Sequence, residues 1–155
     1  MTRRWMKSAA CAVAVLALSG CAKITDKAWR VVSAKMDAFA IINEQLMSGE
    51  VALAPDRTGT VMLNSDKGQP ASCVGPVRYT STKGSVVDLR CNDGSMVELR
   101  ISMLTDTKGY AYGQTATGGA SMAFGLDPLE AKAYLTVPAN KKLVENLTSG
   151  GLDLQ

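Results

Sequence analysis

The sequence predicts an α+β fold: an N-terminal amphipathic helix, then a small antiparallel β-meander forming a barrel or a sandwich, then one or two short C-terminal helices. Apolar residues recur every three or four positions between residues 24 and 46, which is a helical period. After Gly49, runs of β-branched residues alternate with turn residues at regular spacing, as in a meander. A helix-start motif follows the last predicted strand: Asp127-Pro128-Leu129-Glu130.

The first 20 residues have the composition of a secretory signal peptide. Arg3, Arg4 and Lys7 supply positive charge, residues 9–18 are almost continuously apolar, and small residues follow. The apolar run is too short to cross a bilayer, which takes about 20 residues. The segment closes on a motif that resembles the lipobox of bacterial lipoproteins: Leu18-Ser19-Gly20-Cys21.

The lipobox resemblance implies a location. In that family the cysteine thiol receives a diacylglyceryl group and the leader is cleaved just before it, so residues 1–20 would be removed and Cys21 would become the lipidated first residue. An aspartate after the cysteine retains many such proteins at the inner membrane, whereas Ala22 stands here. We therefore expect a protein anchored in the bacterial envelope through Cys21, at the outer membrane facing the periplasm rather than at the inner membrane.

Charge and composition exclude several classes of function. The leader holds three of the 17 Lys and Arg residues and none of the 14 Asp and Glu residues, so residues 21–155 are balanced and give no argument for nucleic-acid binding. The chain has no histidine, which excludes histidine bases, histidine-dependent triads and nearly all catalytic zinc sites. We expect no metal, no cofactor and no enzymatic activity.

Two cysteines remain beyond the leader and the lipidation site. In an oxidising envelope Cys73 and Cys91 most simply form a disulfide, which stabilises the fold by roughly 3 kcal/mol. A reactive thiol pair is a weaker alternative because the C-x-x-C spacing is absent.

Residues 25–47 are predicted to form one helix within a segment, 21–49, that begins with the lipidated Cys21. Its apolar stripe comprises Ile24, Ala28, Val32, Met36, Phe39, Ile42 and Leu46. Three roles are open: packing against the domain that follows, self-association or partner binding as a coiled-coil stalk, and lying on the lipid headgroups.

Residues 50–148 are predicted to form a disulfide-tied β domain with the short C-terminal helices, and residues 149–155 a flexible tail. The first helix would run from Asp127 to about Leu135, and residues 138–147 would form a second. The predicted strands are 51–54, 60–63, 73–80, 85–91, 96–103, 110–115 and 122–124.

The turn at residues 92–94 determines the register of one hairpin. A three-residue turn with Gly94 in the left-handed region places Leu89 opposite Val97 and keeps apolar residues on one face, whereas a two-residue turn mixes the faces. This register directs Cys91 inward. Cys73 shares one parity with Val77 and Tyr79 on the preceding strand, so both cysteines can point inward.

Two groups of side chains are candidates for a site. Asp88 and Glu98 should lie opposite each other on the outer face, with Arg90 and Arg100 on the diagonals. Such carboxylates can act as an acid and a base, but a solvated charge lattice is favoured. Aromatic residues gather near the C-terminal strands, where Tyr110 and Tyr112 become binding candidates if they face outward.

The sequence therefore favours a membrane-anchored envelope lipoprotein that acts as a non-catalytic binding or assembly module. The alternative is a small periplasmic enzyme inhibitor that inserts a rigid hairpin loop, with residues 92–94 or 114–119 as the loop. An acid–base hydrolase using Asp88 and Glu98 is the third hypothesis.

Overall fold

The computed structural model describes residues 33–82 and 84–155, and this part of the chain is nearly all β. The predicted α+β class is therefore wrong. The described residues form one helix, α1 (Pro128–Ala131), and ten strands: β1 (Ala34–Ile42), β2 (Gln45–Leu53), β3 (Gly59–Asn64), β4 (Ser72–Thr80), β5 (Gly84–Cys91), β6 (Met96–Met103), β7 (Gly109–Gln114), β8 (Gly119–Phe124), β9 (Leu143–Asn146) and β10 (Gly151–Leu154). Cys21 and the leader lie outside the described residues.

The first eight strands form a closed antiparallel barrel. Each strand pairs with the next, and β8 pairs with β1, so these strands leave no open sheet edge. The interior is filled by apolar side chains that are each at most 8% exposed, among them Met47, Val51, Val61, Leu63, Val87, Leu89, Val97, Leu99, Met122 and Phe124. Eight strands enclose a space that side chains alone can fill, which is what these residues do.

Glycines allow the middle strands to approach closely. A Cβ atom on Gly75 would collide with the carbonyl oxygen of Asp88, and one on Gly113 would collide with the carbonyl oxygen of Glu98. Glycine in a strand often marks such a close approach of two backbones. The two glycines therefore hold β4 against β5 and β7 against β6 at the level of the two acidic residues.

The predicted helix over residues 25–47 is also wrong wherever the structure describes it. Residues 25–32 lie outside the described part, and the remainder forms β1, a turn and the start of β2. Ile42 points into the barrel, whereas Phe39 points outward into a second apolar cluster. Because β1 is buried on both faces, it lacks the alternation that marks a half-buried strand, and its apolar residues fitted a helical stripe instead.

The sequence analysis did not predict the turn between β1 and β2. Asn43 and Glu44 both have positive φ angles, 50° and 61°, and Ile42 pairs with Gln45 across them. Two-residue hairpin turns of this kind are usually recognised by glycine at the second position. Asn43 suits the first position, but Glu44 occupies the second, so the sequence carried only half of the usual turn signal.

The C-terminal segment covers one side of the barrel. Three outward-facing residues of β1 and β8 form a second apolar cluster with residues that follow β8. The strands contribute Phe39, Ile41 and Ala123, and the C-terminal segment contributes Leu126, Ala131, Leu135, Leu143 and Leu152. β9 and β10 pair as an antiparallel hairpin, with Gly150 at a φ of 66° in the turn between them. The predicted flexible tail at 149–155 is therefore wrong, because Leu152 anchors it to the cluster.

The predicted C-terminal helices are reduced to one short turn of helix. The Oδ1 of Asp127 accepts a hydrogen bond of 2.8 Å from the backbone N–H of Glu130, which confirms the predicted helix start. The helix ends at Ala131, four residues before the predicted end, and the segment predicted as a second helix contains β9. Burial of Leu135 and Leu143 against the barrel overrides local helix propensity here.

Candidate functional site

The central hairpin has the register that its turn predicts. Gly94 has a φ of 84°, and Leu89 lies opposite Val97. The two cysteines are direct partners on β4 and β5 and form the predicted disulfide. The pair adjacent to Leu89 and Val97 is Asp88 and Glu98, and their side chains lie on the outer face of the barrel.

The carboxylate of Asp88 is engaged by an arginine that the sequence analysis did not identify. Arg78 on β4 donates to Oδ2 of Asp88 through Nε, at 2.8 Å, and through a terminal guanidinium nitrogen. Asp88 pairs with Glu98 in register, as predicted. Pairing with Arg78 favours the ionised form of Asp88 over the protonated form that an acid would need, so the row fits a charge lattice better than an acid–base pair.

Arg90 and Arg100 flank this acidic row, as predicted, but neither forms an ion pair with any residue that the structure describes. Arg90 lies between Val74 and Met96, and Arg100 lies opposite Tyr112. The outer face of β4 to β7 therefore presents two guanidinium groups whose fork of donors is open to an external acceptor.

An apolar stripe crosses the same face and was missed from the sequence. We use this name for Met62, Val74 and Met96, which lie on β3, β4 and β6 and are joined in register through Arg90 on β5. They are 49%, 51% and 72% exposed. Each is unremarkable alone, since single exposed apolar residues are normal on protein surfaces. Only the register across four strands aligns them.

The two candidate tyrosines face outward but differ in role. The ring of Tyr110 stacks on that of Tyr134 with centroids 4.8 Å apart, which is packing between the sheet and the C-terminal segment. The ring of Tyr112 lies 5.4 Å from that of Tyr110 and is 44% exposed. Tyr112 is thus a surface aromatic residue whose ring packs against Tyr110. Its predicted role in binding depends on its exposure.

Burial, aided by the neighbouring rings of Tyr110 and Tyr134, raises the pKa of Tyr112 above its ordinary value of 10.0. Between pH 10 and the raised pKa, the unfolded chain loses a proton that the folded protein keeps. The free energy of unfolding therefore falls as the pH rises through this window. We expect Tyr112→Phe to flatten this alkaline loss when the free energy of unfolding is measured by urea denaturation at a series of alkaline pH values. An unchanged slope in the variant would contradict this prediction.

The turn that follows the disulfide is held in a single shape. Asn92 Oδ1 accepts hydrogen bonds from the backbone N–H groups of Ala71 and Ser72, at 2.9 and 3.2 Å. Asp93 Oδ1 accepts from the N–H and the hydroxyl of Ser95, and these bonds lower the pKa of Asp93. This loop is preorganised, as an inhibitory loop would need to be.

The second candidate loop, residues 114–119, is held by its own hydroxyl groups. Thr115 Oγ1 accepts from the N–H groups of Thr117 and Gly118 at 3.3 and 3.1 Å, and Thr117 donates to Asn43 Oδ1 at 2.7 Å. These bonds tie the loop to the turn between β1 and β2.

The described residues contain no group of three or more His, Cys, Asp and Glu side chains that could hold a metal ion, and no helix long and apolar enough to cross a membrane. Comparison of the chain with protein-family models, with curated proteins and with solved structures found no match.

Proposed function

We propose that this chain is a lipid-anchored envelope lipoprotein whose barrel acts as a non-catalytic binding module for a protein partner. The lipobox-like motif ending at Cys21 supports the anchor and the location. The disulfide between Cys73 and Cys91 supports an oxidising compartment, because structural disulfides persist outside the cytosol. The balanced charge of residues 21–155 gives no reason to expect a nucleic acid as the partner.

The observation that carries the binding role is the apolar stripe. Met62, Val74 and Met96 are exposed in one line with Arg90, which has no ion pair among the described residues. Methionine and arginine are enriched at protein interfaces relative to other surfaces, and aligned exposed apolar side chains mark binding sites. A partner with an apolar surface that bears a carboxylate for Arg90 fits this stripe.

The apolar stripe is the candidate partner surface in place of the helix predicted at residues 25–47. That segment contains β1 and β2 from residue 34 onward, where Phe39 and Ile42 are buried within the protein. These two side chains are therefore inaccessible to a second subunit, and the stripe takes their place as the candidate contact.

The binding role can be tested by placing a photo-crosslinking amino acid at position 74 in intact cells. We expect a discrete protein adduct at position 74 that the Arg90→Glu substitution removes. Leu147, which is 89% exposed, supplies a matched apolar control position away from the stripe. The same adducts at position 147, or none at position 74, would count against the stripe. Incorporation of labelled palmitate that Cys21→Ala abolishes tests the anchor separately.

The inhibitor hypothesis keeps one supporting observation, the preorganised turn at residues 92–94. Its base carries Cys91, whose disulfide restrains the loop from below. A crosslinker at Asp93 distinguishes the two functions, because an inhibitor would yield an enzyme adduct from position 93 and none from position 74.

A further inference from the structure

A shallow, open depression of about 490 Å³ lies on the outer face of β6 and β7. We call it the tyrosine depression, and its lining residues are Glu98, Arg100, Tyr112, Gly113 and Gln114. Its volume falls within the range of small-molecule sites, which is about 300–1,000 Å³. It lies on strands of the closed barrel, so the barrel fixes the relative positions of its side chains.

An aromatic ring forms one wall of the depression. Tyr112 is 44% exposed, and its ring rests against Tyr110, which itself stacks on Tyr134. This layered support limits movement of the Tyr112 ring, so little conformational entropy is lost when a ligand covers it. A tyrosine ring of this kind offers an apolar surface to the C–H groups of a sugar and a hydroxyl to its polar edge.

A planar cation lies next to the ring. Arg100 is the direct cross-strand partner of Tyr112, and it forms no ion pair within residues 33–82 and 84–155. A guanidinium group binds carboxylates and phosphates through two parallel N–H donors. Glu98 also lines the depression, and its negative charge disfavours a dianionic phosphate relative to a carboxylate that bears a single charge.

The third group is an amide. Gln114 follows Tyr112 by two residues on β7, so both side chains lie on the outer face. Its side chain offers two donors and one acceptor, which match a sugar hydroxyl or an acetamido group.

We propose that the tyrosine depression binds a sugar acid, with the sugar ring on Tyr112, the carboxylate on Arg100 and a hydroxyl or acetamido group on Gln114. The site is separate from the apolar stripe, which contains none of these residues. The choice of an envelope sugar as the probe rests on the proposed location.

The test titrates the full exported protein, solubilised in detergent, with three ligands followed by ligand-observed NMR. N-acetylmuramic acid carries both the sugar ring and a carboxylate, N-acetylglucosamine lacks the carboxylate, and lactate lacks the ring. We expect N-acetylmuramic acid to bind about tenfold more tightly than either fragment, because it alone engages both groups. Equal binding of all three ligands, or no saturable binding of N-acetylmuramic acid, would overturn the proposal.

Variants identify the groups involved. Arg100→Gln should reduce binding of N-acetylmuramic acid to the level of N-acetylglucosamine, and Lys142→Gln, which alters an exposed cation outside the depression, should leave it unchanged. Tyr112→Ala should abolish binding of both sugars, whereas Tyr112→Phe, which retains the ring and the packing, should preserve it. Sugar binding that survives both Arg100→Gln and Tyr112→Ala would place the ligand elsewhere. A negative result here leaves the crosslinking test at Val74 unaffected, so the two proposals fail independently.

Discussion

Replacement of both Cys73 and Cys91 with alanine is expected to lower the free energy of unfolding by about 3 kcal/mol. The disulfide joins directly opposed residues of β4 and β5 across a sequence separation of 18, so its loss releases that loop in the unfolded chain. Alanine is chosen because both side chains are buried, at 2% and 8% exposure, and serine would bury a hydroxyl. For a domain of this size we expect the melting temperature to fall by roughly 10 °C.

The reduced wild-type protein is the matched control for the disulfide. It lacks the cross-link but keeps both sulfur atoms in the barrel interior, where Cys73 Sγ lies 3.7 Å from Met47 Sδ. The difference between the reduced protein and the alanine variant therefore isolates the packing of the sulfur atoms. If urea denaturation detects a loss below about 1 kcal/mol in both samples, the cross-link does not constrain the unfolded chain as the entropic account requires.

The hairpin of β5 and β6 was predictable from the sequence because residues 87–91 and 96–99 are buried on one face only. In β5 and β6 apolar and polar residues alternate, and the turn at Gly94 had one register that kept Leu89 and Val97 on the same side. Alternation and turn chemistry are local signals, and both were present there. The register then brought Asp88 opposite Glu98 and directed Cys91 inward.

The two ends of the described chain were not predictable in the same way. β1 is covered on its inner face by the barrel and on its outer face by residues far along the chain, so its sequence carries a continuous apolar run. Residues 149–155 are polar and glycine-rich, which predicted a tail. Leu152 nevertheless packs in the apolar cluster on the outer face of β1. Both errors come from one tertiary contact, which no window of sequence contains.

The candidate site was found in part. Parity along β5 and β6 predicted Asp88 and Glu98 as outer residues, whereas the sequence left the direction of Tyr112 open. Parity also gave no reason to select Arg78, which reaches Asp88 from β4. The apolar stripe was missed for the same reason, because its members are about 12 and 22 residues apart and meet only through three strand pairings. Alignment across strands becomes visible once every register is known.

Substitution of Phe39 by alanine tests the tertiary contact that the sequence concealed. Phe39 is 8% exposed and packs outside the barrel against the C-terminal segment. Truncation of a buried phenylalanine removes its transfer free energy and leaves a cavity, so we expect the free energy of unfolding to fall by about 3–5 kcal/mol. Phe39→Leu, which keeps most of the volume, should cost less than about 1.5 kcal/mol. Urea denaturation followed by circular dichroism measures both.

Val74→Ala is the matched control, because Val74 also points outward from a barrel strand but is 51% exposed. A substitution on an uncovered face should change the free energy of unfolding by no more than about 0.5 kcal/mol. The contrast between the two positions therefore measures how much the C-terminal segment contributes by covering one side of the barrel. Equal effects at both positions would mean that the segment does not cover β1.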